Sequence, residues 1–458
     1  MLDQFGTEIT TSQPRSLTAW NDAMSSYLAF RGDPVARLSG LDDPGFIEAP
    51  AFCAAMKLLS GLDPDSDSVM QDRLALMEAA KGASGAQMGH ADAVELLAEG
   101  AFSQAAAMWD GVLAQAPGDV LALKCSHETW FLVGAAEEMR GSTTAALDRL
   151  DIDHPVYAVA AAQHGFALEE TGDYAAAESW GRLALDLAPR DCWALHCLAH
   201  VYETQNRHAD AMALLNAKKP IWREQNLLNA HIWWHLALRL IEAGATEAAL
   251  AIFDEELAEV DADNRFRLTD GTSLLWRLEL EGVDVGARWR GMADKWAQSA
   301  ELHTNGFLDV HAALAFARCP DQPAADLFFD TLAKAFAKDT SENAQTYRTL
   351  IQPISRALRL YPDNPQAACA MMAPLLAELH RMGGSIVQRE IVERSYSSAL
   401  IATGAVAQCA AWIDPQIGHH PNTPWLLRDR ARCADAGGDT AKATLLRRRA
   451  DLMFAGFQ

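Results

Sequence analysis

The chain has no excess of basic residues. Its 458 residues include 38 Lys and Arg against 61 Asp and Glu, and the formal net charge at pH 7 is −23. Nucleic acids and anionic membranes are bound through clusters of Lys and Arg that contact phosphate groups. We therefore expect neither nucleic acid nor a membrane surface among the partners of this protein.

Long apolar runs and paired cysteines are also missing. No stretch approaches the roughly 18 uncharged apolar residues that a membrane-spanning helix needs. Residues 1–8 are polar and acidic, and they lack the basic start and apolar run of a secretory signal. The eight cysteines are scattered and form no CxxC pair, which is typical of reduced, buried thiols. These absences predict a cytoplasmic protein without disulfides.

Glycine-rich catalytic and nucleotide-binding loops are absent as well. The sequence contains no GxGxxG loop, no GxxxxGK[ST] loop and no GxSxG elbow. It therefore excludes nucleotide binding by those routes and a serine nucleophile on such an elbow. Ser273 closely follows Asp270 and Gly271, and this pattern predicts a helix cap or a polar turn instead.

Helix-forming residues and an internal repeat are prominent in the sequence. Ala and Leu are abundant, β-branched residues are sparse, and apolar residues recur at i, i+3, i+4 and i+7 in most windows. Gly100, Gly172 and Gly244 stand in similar segments and are each 72 residues apart. This period is close to two tetratricopeptide units of about 34 residues. Each unit is predicted to be a helix, a turn and a second helix, most clearly over 158–191.

The repeat predicts the fold class and the domain organisation. We expect an all-α solenoid of tetratricopeptide-type helical hairpins that curls into a superhelix around a polar pocket. Residues 1–84 are predicted to be helical without following the period, and residues 85–458 are predicted to form one continuous array. The Trp-rich stretch 269–298 departs from the repeat. Apolar faces at the end repeats would suit a homo-oligomer.

Histidines recur at helical spacing within the array. His196, His200 and Glu203 stand at i, i+4 and i+7, which places them on one face of a helix. His231 and His235 form a second i, i+4 pair one hairpin further along. The repeat register assigns both groups to first helices, which line the concave groove of such arrays. We therefore expect these side chains to converge on one inner surface.

Three interpretations of these histidines stay open. First, His196, His200, Glu203 and His231 could bind zinc or another divalent metal, although the helix lacks the HExxH order. Second, without a metal, His200 or His231 could act as a base that is oriented by Glu203 or Asp309. Third, the histidines could be hydrogen-bonded between stacked helices or could contact a partner protein.

Six segments carry a resemblance to a known family. They are 164–172 (HGFALEETG), 194–203 (ALHCLAHVYE), 231–238 (HIWWHLAL), 274–286 (LLWRLELEGVDVG), 307–311 (FLDVH) and 383–390 (GGSIVQRE). In these segments and in their order, the chain resembles the tetratricopeptide-repeat protein 38 family from about residue 120 to the C-terminus. It departs from the family pattern at Leu308, where Asn is expected, and at Ile386, where His is expected.

The resemblance implies a helical-repeat fold and fixed positions for His and acidic residues, but it implies no settled activity. Those positions are His127, Glu128, Glu169, His196, His200, Glu203, His231, His235, Asp270, Asp309 and His311. A scaffold that only stacked helices would have little use for so many polar groups at fixed sites.

We therefore predict a soluble protein whose internal pocket binds a small polar metabolite and which, if it is an enzyme, is a hydrolase or lyase that uses acid/base chemistry. The predicted catalytic residues are His200, His231, Glu203, Asp309 and His311. The predicted ligand-binding residues are His127, Glu128, Glu169, His196, His235, Trp234 and Asp270. The expected cofactor is either none or a single divalent metal ion. The alternative is a protein-interaction scaffold that binds a peptide in its concave groove.

Overall fold

The computed structural model describes residues 1–223, 227–420 and 422–454, and these residues form helices and turns but no strand. An isolated antiparallel bridge pairs Leu2 with Glu8. The predicted all-α fold class is thereby confirmed. Its physical reason is the abundance of Ala and Leu, which favour helix, together with the scarcity of β-branched residues.

The N-terminal region consists of helices that do not form regular hairpins. They are α1 (Pro14–Leu28), α2 (Pro34–Leu38), α3 (Glu48–Leu59) and α4 (Asp67–Ala79). Asp33 caps α2 by accepting a hydrogen bond from the backbone N–H of Ala36. One hydrophobic cluster runs from Phe5 to Ala194, so this region shares a core with the hairpins that follow. The boundary between residues 84 and 85 stays a prediction.

Regular helical hairpins follow. Their helices are α5 (Ala86–Ala98), α6 (Phe102–Gln115), α7 (Val120–Leu132), α8 (Ala136–Leu147), α9 (Tyr157–Glu170), α10 (Tyr174–Leu187), α11 (Cys192–Thr204), α12 (His208–Ala217), α13 (Lys219–Trp222), α14 (Leu227–Glu242) and α15 (Thr246–Ile252), which a π-helical turn, Phe253–Leu257, extends. The predicted unit at 158–191 is confirmed as α9 and α10. They are joined at Gly172, whose φ of +83° favours glycine. A Cβ at Gly165 would lie 3.2 Å from the carbonyl oxygen of Ala177, so glycine lets the two helices approach closely.

Helix pairs continue through the second half of the chain. The helices are α16 (Arg265–Leu280), α17 (Arg288–Trp296), α18 (Gly306–Arg318), α19 (Ala324–Lys334), α20 (Glu342–Thr346), α21 (Gln352–Leu360), α22 (Pro365–Met372), α23 (Ile386–Ala402), α24 (Val406–His419), α25 (Pro424–Ala436) and α26 (Thr440–Leu452). A π-helical turn, Tyr347–Ile351, follows α20, and 3₁₀ segments lie at Ala297–Ser299 and Ala373–Met382.

Two expectations for the stretch 269–298 need correction. This stretch forms most of α16 and α17, and α16 packs against α14, so the stacking of helices continues although the sequence pattern of the repeat is lost. Ser273 is neither a cap nor a turn residue. It lies inside α16, is buried, and accepts a hydrogen bond from Arg277 one turn later.

The array curls back on itself, so that N-terminal helices contact helices of the second half. Arg265 Nη1, at the start of α16, donates to the carbonyl oxygen of Gly61 at 3.1 Å. The backbone N–H of Asn343 in α20 donates to the carbonyl oxygen of Gly100, between α5 and α6, also at 3.1 Å. These contacts between residues far apart in sequence agree with the predicted superhelix.

The eight cysteines are all free and buried, as their scattered spacing predicted. Burial raises the pKa of several of these thiols, including that of Cys192 to about 12. Among the described residues, no helix is both long enough and apolar enough to cross a bilayer.

Candidate functional site

Two neighbouring first helices each contribute two histidines to one group, which we call the histidine cluster. His196 and His200 lie one turn apart on α11, and His231 and His235 lie one turn apart on α14. The ring centroids of five of the six pairs are 4.5–5.2 Å apart, and the sixth pair, His200 and His231, is 6.5 Å apart. One nitrogen from each ring lies within 4.8 Å of the others. The repeat register predicted that these side chains converge on one inner surface, and these four do so in the structure.

The cluster is almost fully enclosed by protein. His196, His200 and His235 are 1–3% exposed, and the side chain of His231 is 15% exposed. His231 therefore forms the more open side of the cluster. Burial lowers the pKa of the three enclosed histidines well below the usual value, and neighbouring imidazoles lower it further. These three rings are therefore neutral near pH 7.

Two carboxylates fix which ring nitrogen carries the proton in the α14 pair. His231 Nδ1 donates to Asp270 Oδ1 of α16 at 2.8 Å, and His235 Nδ1 donates to Glu203 Oε2 of α11 at 2.6 Å. Because each Nδ1 bears the proton, each Nε2 presents a lone pair. The two Nε2 atoms lie 3.2 Å apart. Both lone pairs are therefore directed at nearly the same point in the interior.

The α11 pair has ring nitrogens with no hydrogen-bond partner among the described residues. Neither nitrogen of His196 has one, and His200 Nδ1 lies 3.7 Å from Glu169 Oε2, too far for a hydrogen bond. Thr204 Oγ1 donates to the other carboxylate oxygen of Glu169 at 2.9 Å. Buried polar atoms are nearly always paired in folded proteins, so unpaired ones in one group are a sign of a ligand site.

Aromatic and cationic side chains surround the cluster. Trp234 stacks on His231 at 5.2 Å and 14°, and the guanidinium of Arg277 lies 5.4 Å from the centre of a Trp234 ring. Phe166 stacks on His196 at 5.8 Å and 20°. Trp234 was predicted to bind ligand, and in the structure it shields one face of His231.

Arg239 contacts the far side of Glu203. Its Nη2 donates to Glu203 Oε1, while its Nη1 lies 2.8 Å from Nδ1 of His208. The negative charge of Glu203 is thus balanced by a guanidinium as well as by the polar N–H of His235. Arg239 and Arg277 are not among the site residues predicted from the sequence, although the sequence contains a signal for them. Arg239 follows His235 by four residues and Arg277 follows Asp270 by seven, so each shares a helix face with a predicted site residue.

The set of possible metal ligands in the structure differs in one residue from the set predicted from the sequence. The structure groups His196, His200 and His231 with His235 and leaves Glu203 outside the set. Both carboxylate oxygens of Glu203 are occupied, one by His235 Nδ1 and one by Arg239. Glu203 therefore acts on the cluster through His235 and is not a fourth member of it.

Asp309 has its hydrogen-bond partners outside the histidine cluster, contrary to the prediction that Asp309 orients His200 or His231. Its Oδ2 accepts hydrogen bonds from His303 Nδ1 at 3.2 Å and from the hydroxyl of Tyr347 at 2.6 Å. These partners explain the difference, because α18 presents Asp309 to the π-helical turn that begins at Tyr347. We call Asp309, His303 and Tyr347 the Asp309 group.

His311, two residues further along α18, has a different partner. Its Nδ1 donates to the carbonyl oxygen of Phe307 in the preceding turn of α18.

His127 and Glu128 lie near the edge of the site. The ring of His127 is buried and lies 5.9 Å from those of Phe166 and Trp193. Glu128 instead accepts a hydrogen bond from the hydroxyl of Tyr27 at 2.6 Å and pairs with Lys124 at 3.0 Å. The two neighbours therefore have different partners, and Glu128 contacts the N-terminal region.

No family model matches the chain. Among solved structures, it is similar to a human IFIT1 dimer with PPP-AAAA, at 10% identity over 100% of this chain and 98% of that chain, with a TM-score of 0.40. The human IFIT1 dimer with m7Gppp-AAAA gives 11% identity, the same coverage and a TM-score of 0.40. Naa15/Naa10 bound to HypK-THB gives 16% identity over 89% of this chain and 64% of that chain, with a TM-score of 0.25. The resemblance to the tetratricopeptide-repeat protein 38 family and the expected absence of nucleic acid stay predictions.

Proposed function

We propose that the histidine cluster is an internal site that binds a small polar molecule and processes it by acid/base chemistry. The observation that carries this proposal is the pair of Nε2 lone pairs of His231 and His235. They converge within 3.2 Å, and carboxylates on the opposite ring nitrogens fix their tautomers. A neutral imidazole whose Nδ1–H is bonded to a carboxylate is the usual form of a general base.

Each residue then has a definite task. His231, on the more open side, is the proposed base that takes a proton from the bound molecule, and Asp270 orients it. His235 is positioned by Glu203 and accepts a second polar group, while His196 and His200 supply further acceptor nitrogens. Hydrolases and lyases are two enzyme classes that use such proton transfer at a bound polar group.

The enclosure of the cluster supports a small ligand over a long one. Helix α16 packs against α14 and places Asp270 on His231, which covers the cluster from the side of the Trp-rich stretch. With three of the four rings at most 3% exposed, an extended peptide would reach them only if helices separated. A small molecule would approach from the side of His231, whose side chain is 15% exposed.

A protein-interaction scaffold is the second candidate, and a different region favours it. Where the N-terminal helices meet the second half, a cavity of about 500 Å³ is lined by residues from segments 58–64, 97–102, 301–304 and 331–343. This seam cavity combines apolar side chains such as Leu62 and Phe336 with polar ones. Its volume is in the range of ordinary ligand sites, and it could accept side chains of a bound peptide.

Identification of copurifying molecules tests the leading proposal. Purified protein is heat-denatured, and the released small molecules are identified by mass spectrometry for the wild type, for His231→Gln combined with His235→Gln, and for His303→Gln. We expect a polar molecule that is released by the wild type and by His303→Gln but not by the cluster variant. Identical profiles for the wild type and the cluster variant would contradict the proposal.

Selection of peptides from a displayed library tests the second candidate. Peptides enriched on the wild type should fail to bind Leu62→Arg, which introduces a charge into the seam cavity, and should still bind the cluster variant. Enrichment that is insensitive to Leu62→Arg would remove the seam cavity from consideration.

A further inference from the structure

We propose that His196, His200, His231 and His235 bind one divalent ion of a late first-row transition metal, with Zn²⁺ as the best match. The inference rests on the proposed function, because it assigns a cofactor to the same cluster. It goes beyond that function and changes one role. A His231 Nε2 that binds the ion has no free lone pair, so a water bound to the ion would replace His231 as the base.

The distance between the two fixed lone pairs fits a shared ion. Zinc binds imidazole nitrogen at about 2.0–2.1 Å with tetrahedral angles, so two ligand nitrogens on one ion lie about 3.3 Å apart. His231 Nε2 and His235 Nε2 are 3.2 Å apart. The remaining ligand atoms lie within 4.8 Å of each other, so His196 and His200 need to move inward by only part of that distance.

The facing nitrogens of the α14 pair also fit a shared positive centre. With both Nδ1 atoms protonated toward carboxylates, the facing Nε2 atoms of His231 and His235 would present lone pair to lone pair. Such a contact is repulsive unless a proton or a metal ion lies between the nitrogens. A single metal ion bound to both Nε2 atoms removes this repulsion, and nitrogens of His196 and His200 lie within reach of the same ion.

Carboxylates behind the rings complete the arrangement of a metal centre. Metal-binding histidines usually donate their second N–H to a carboxylate or a carbonyl oxygen, which fixes the ring and raises its basicity. Asp270 stands in that position for His231 and Glu203 for His235. Glu169 Oε2 lies 3.7 Å from His200 Nδ1, beyond hydrogen-bond distance, and would have to move closer to support His200 in the same way.

His196 has no carboxylate behind its ring. This difference from His231 and His235 indicates that His196 is the ligand that can be exchanged. Its nitrogens have no partner among the described residues, and its ring is held by stacking on Phe166. Catalytic zinc sites keep three firm protein ligands and one position for water or substrate. We therefore assign His200, His231 and His235 as the firm ligands and His196 as the ligand that substrate or water displaces.

The donor set selects the class of metal. Four imidazoles suit Zn²⁺ and its neighbours in the first row, whereas Mg²⁺ and Ca²⁺ prefer oxygen ligands. Cys197 lies next to His196 in sequence, but its Sγ is directed toward Gly165 and Gly181, on the α9–α10 hairpin.

The surrounding charges indicate what the ion would bind next. Imidazole ligands carry no charge, Arg239 balances the charge of Glu203, and the carboxylate of Asp270 offsets one charge of a bound dication. The centre would therefore keep a net positive charge. It would attract an anionic oxygen of a substrate, or it would lower the pKa of a bound water. The small polar molecule is accordingly expected to carry a carboxylate or a similar anionic oxygen.

Metal titration of the full chain tests this inference. The as-purified protein is analysed for metal, then stripped with a chelator and titrated with Co²⁺, followed by competition with Zn²⁺. We expect one ion per chain, visible absorption bands typical of four- or five-coordinate Co²⁺, and displacement of Co²⁺ by Zn²⁺.

Variants locate the ion. His231→Gln and His235→Gln should weaken Co²⁺ binding by about 100-fold or more, because each removes a firm ligand. His196→Ala should keep one ion per chain with altered absorption bands. His303→Gln, a matched control from the Asp309 group, should bind as the wild type does. Circular dichroism verifies that each variant keeps its helices, and a Zn²⁺-induced rise in Tm that only His231→Gln and His235→Gln lose gives a second readout.

The outcomes separate this inference from the proposed function. Absence of Co²⁺ binding by the folded wild type, or equal binding by His231→Gln, would overturn the metal assignment. If the stripped protein still binds the copurified small molecule with unchanged affinity, the metal assignment fails while the proposed function stands. If metal binds at the cluster but no small molecule is found, the proposed function fails while the metal assignment stands.

Discussion

The histidine cluster and the Asp309 group both bury imidazole against carboxylate, yet the second ring nitrogen has different partners in the two groups. In the Asp309 group, His303 has Asp309 on Nδ1 and Thr331 Oγ1 on Nε2, at 3.2 and 2.9 Å. In the cluster, the Nε2 atoms of His231 and His235 face each other. A histidine–carboxylate pair therefore does not by itself mark a site. The two regions differ at the ring nitrogen that does not face the carboxylate. In His303 this nitrogen has a hydroxyl partner, and in His231 and His235 it faces another imidazole.

This difference matters because a buried nitrogen without a hydrogen-bond partner lowers the free energy of unfolding. A buried polar atom without a partner costs about 1–3 kcal/mol. A fold that only stacked helices would lose that free energy at both ring nitrogens of His196 and at Nδ1 of His200. A ligand that binds such nitrogens recovers part of the loss, whereas both ring nitrogens of His303 in the Asp309 group already have hydrogen-bond partners.

Removal of Asp309 should cause the largest change, and the change should be in stability. Asp309→Ala deprives His303 and Tyr347 of their shared acceptor and leaves Arg265 without its ion pair. Breaking a buried charged pair costs about 3–5 kcal/mol in free energy of unfolding. Urea unfolding measures this loss, and metal binding by the folded fraction should be unchanged. A loss of metal binding at full stability would place Asp309 in the site after all.

Asp270→Asn is the matching change in the cluster, and its main effect should be on binding. Loss of the charged acceptor behind His231 should weaken metal affinity by about 10–100-fold, the range found for such outer partners. Competition against a chromophoric chelator measures the affinity. Unfolding by urea serves as the control, because a destabilisation as large as that of Asp309→Ala would mean that the two regions are built alike.

The pH dependence of stability should come in part from histidines outside the cluster. Burial lowers the pKa of His311 to about 4, below its unfolded value of about 6.5. Between these values the unfolded chain binds the proton and the folded chain does not, so stability is lost as the pH falls below about 6.5. By pH 5.5 the loss from this group is about 1–1.5 kcal/mol.

Chemical denaturation of the wild type and of His311→Gln between pH 7.5 and 5.5 measures this contribution. The variant should show a smaller decrease in free energy of unfolding than the wild type. Equal slopes would mean that His311 is not held neutral by burial.

Thr331→Val should produce the smallest effect and makes the two regions more alike. It leaves His303 Nε2 without its partner, at a cost of about 1 kcal/mol in free energy of unfolding. Thermal unfolding detects a change of this size. Because His303 has no neighbouring imidazoles of the kind found in the cluster, the variant should gain no Co²⁺ binding, and a gain would show that any unpartnered buried histidine suffices.

The repeat made the fold and the centre of the site predictable. Glycines at a period of 72 fixed the hairpin register, and that register placed His196 and His200 on the same inner face as the pair on α14. Helix periodicity carries this information because side chains at i and i+4 share a face.

The rest of the site could not be predicted, because it depends on contacts between residues far apart in the sequence. Asp309 lies beyond the regular repeats, and its partners come from the turn at His303 and from the π-helical turn at Tyr347. Glu203 was predicted among the metal ligands, whereas the structure has His235 in that place. The reason is that Glu203, on the neighbouring helix α11, is the acceptor for His235 Nδ1. Both are long-range pairings, and a single sequence offers no signal for them.

Anomalous diffraction from crystals of the purified protein, collected at the zinc absorption edge, tests the central claim most directly. The account predicts one strong peak between the imidazoles of His200, His231 and His235, and no peak beside Asp309. A cluster without a peak in protein supplied with Zn²⁺, or a peak beside Asp309 instead, would contradict it.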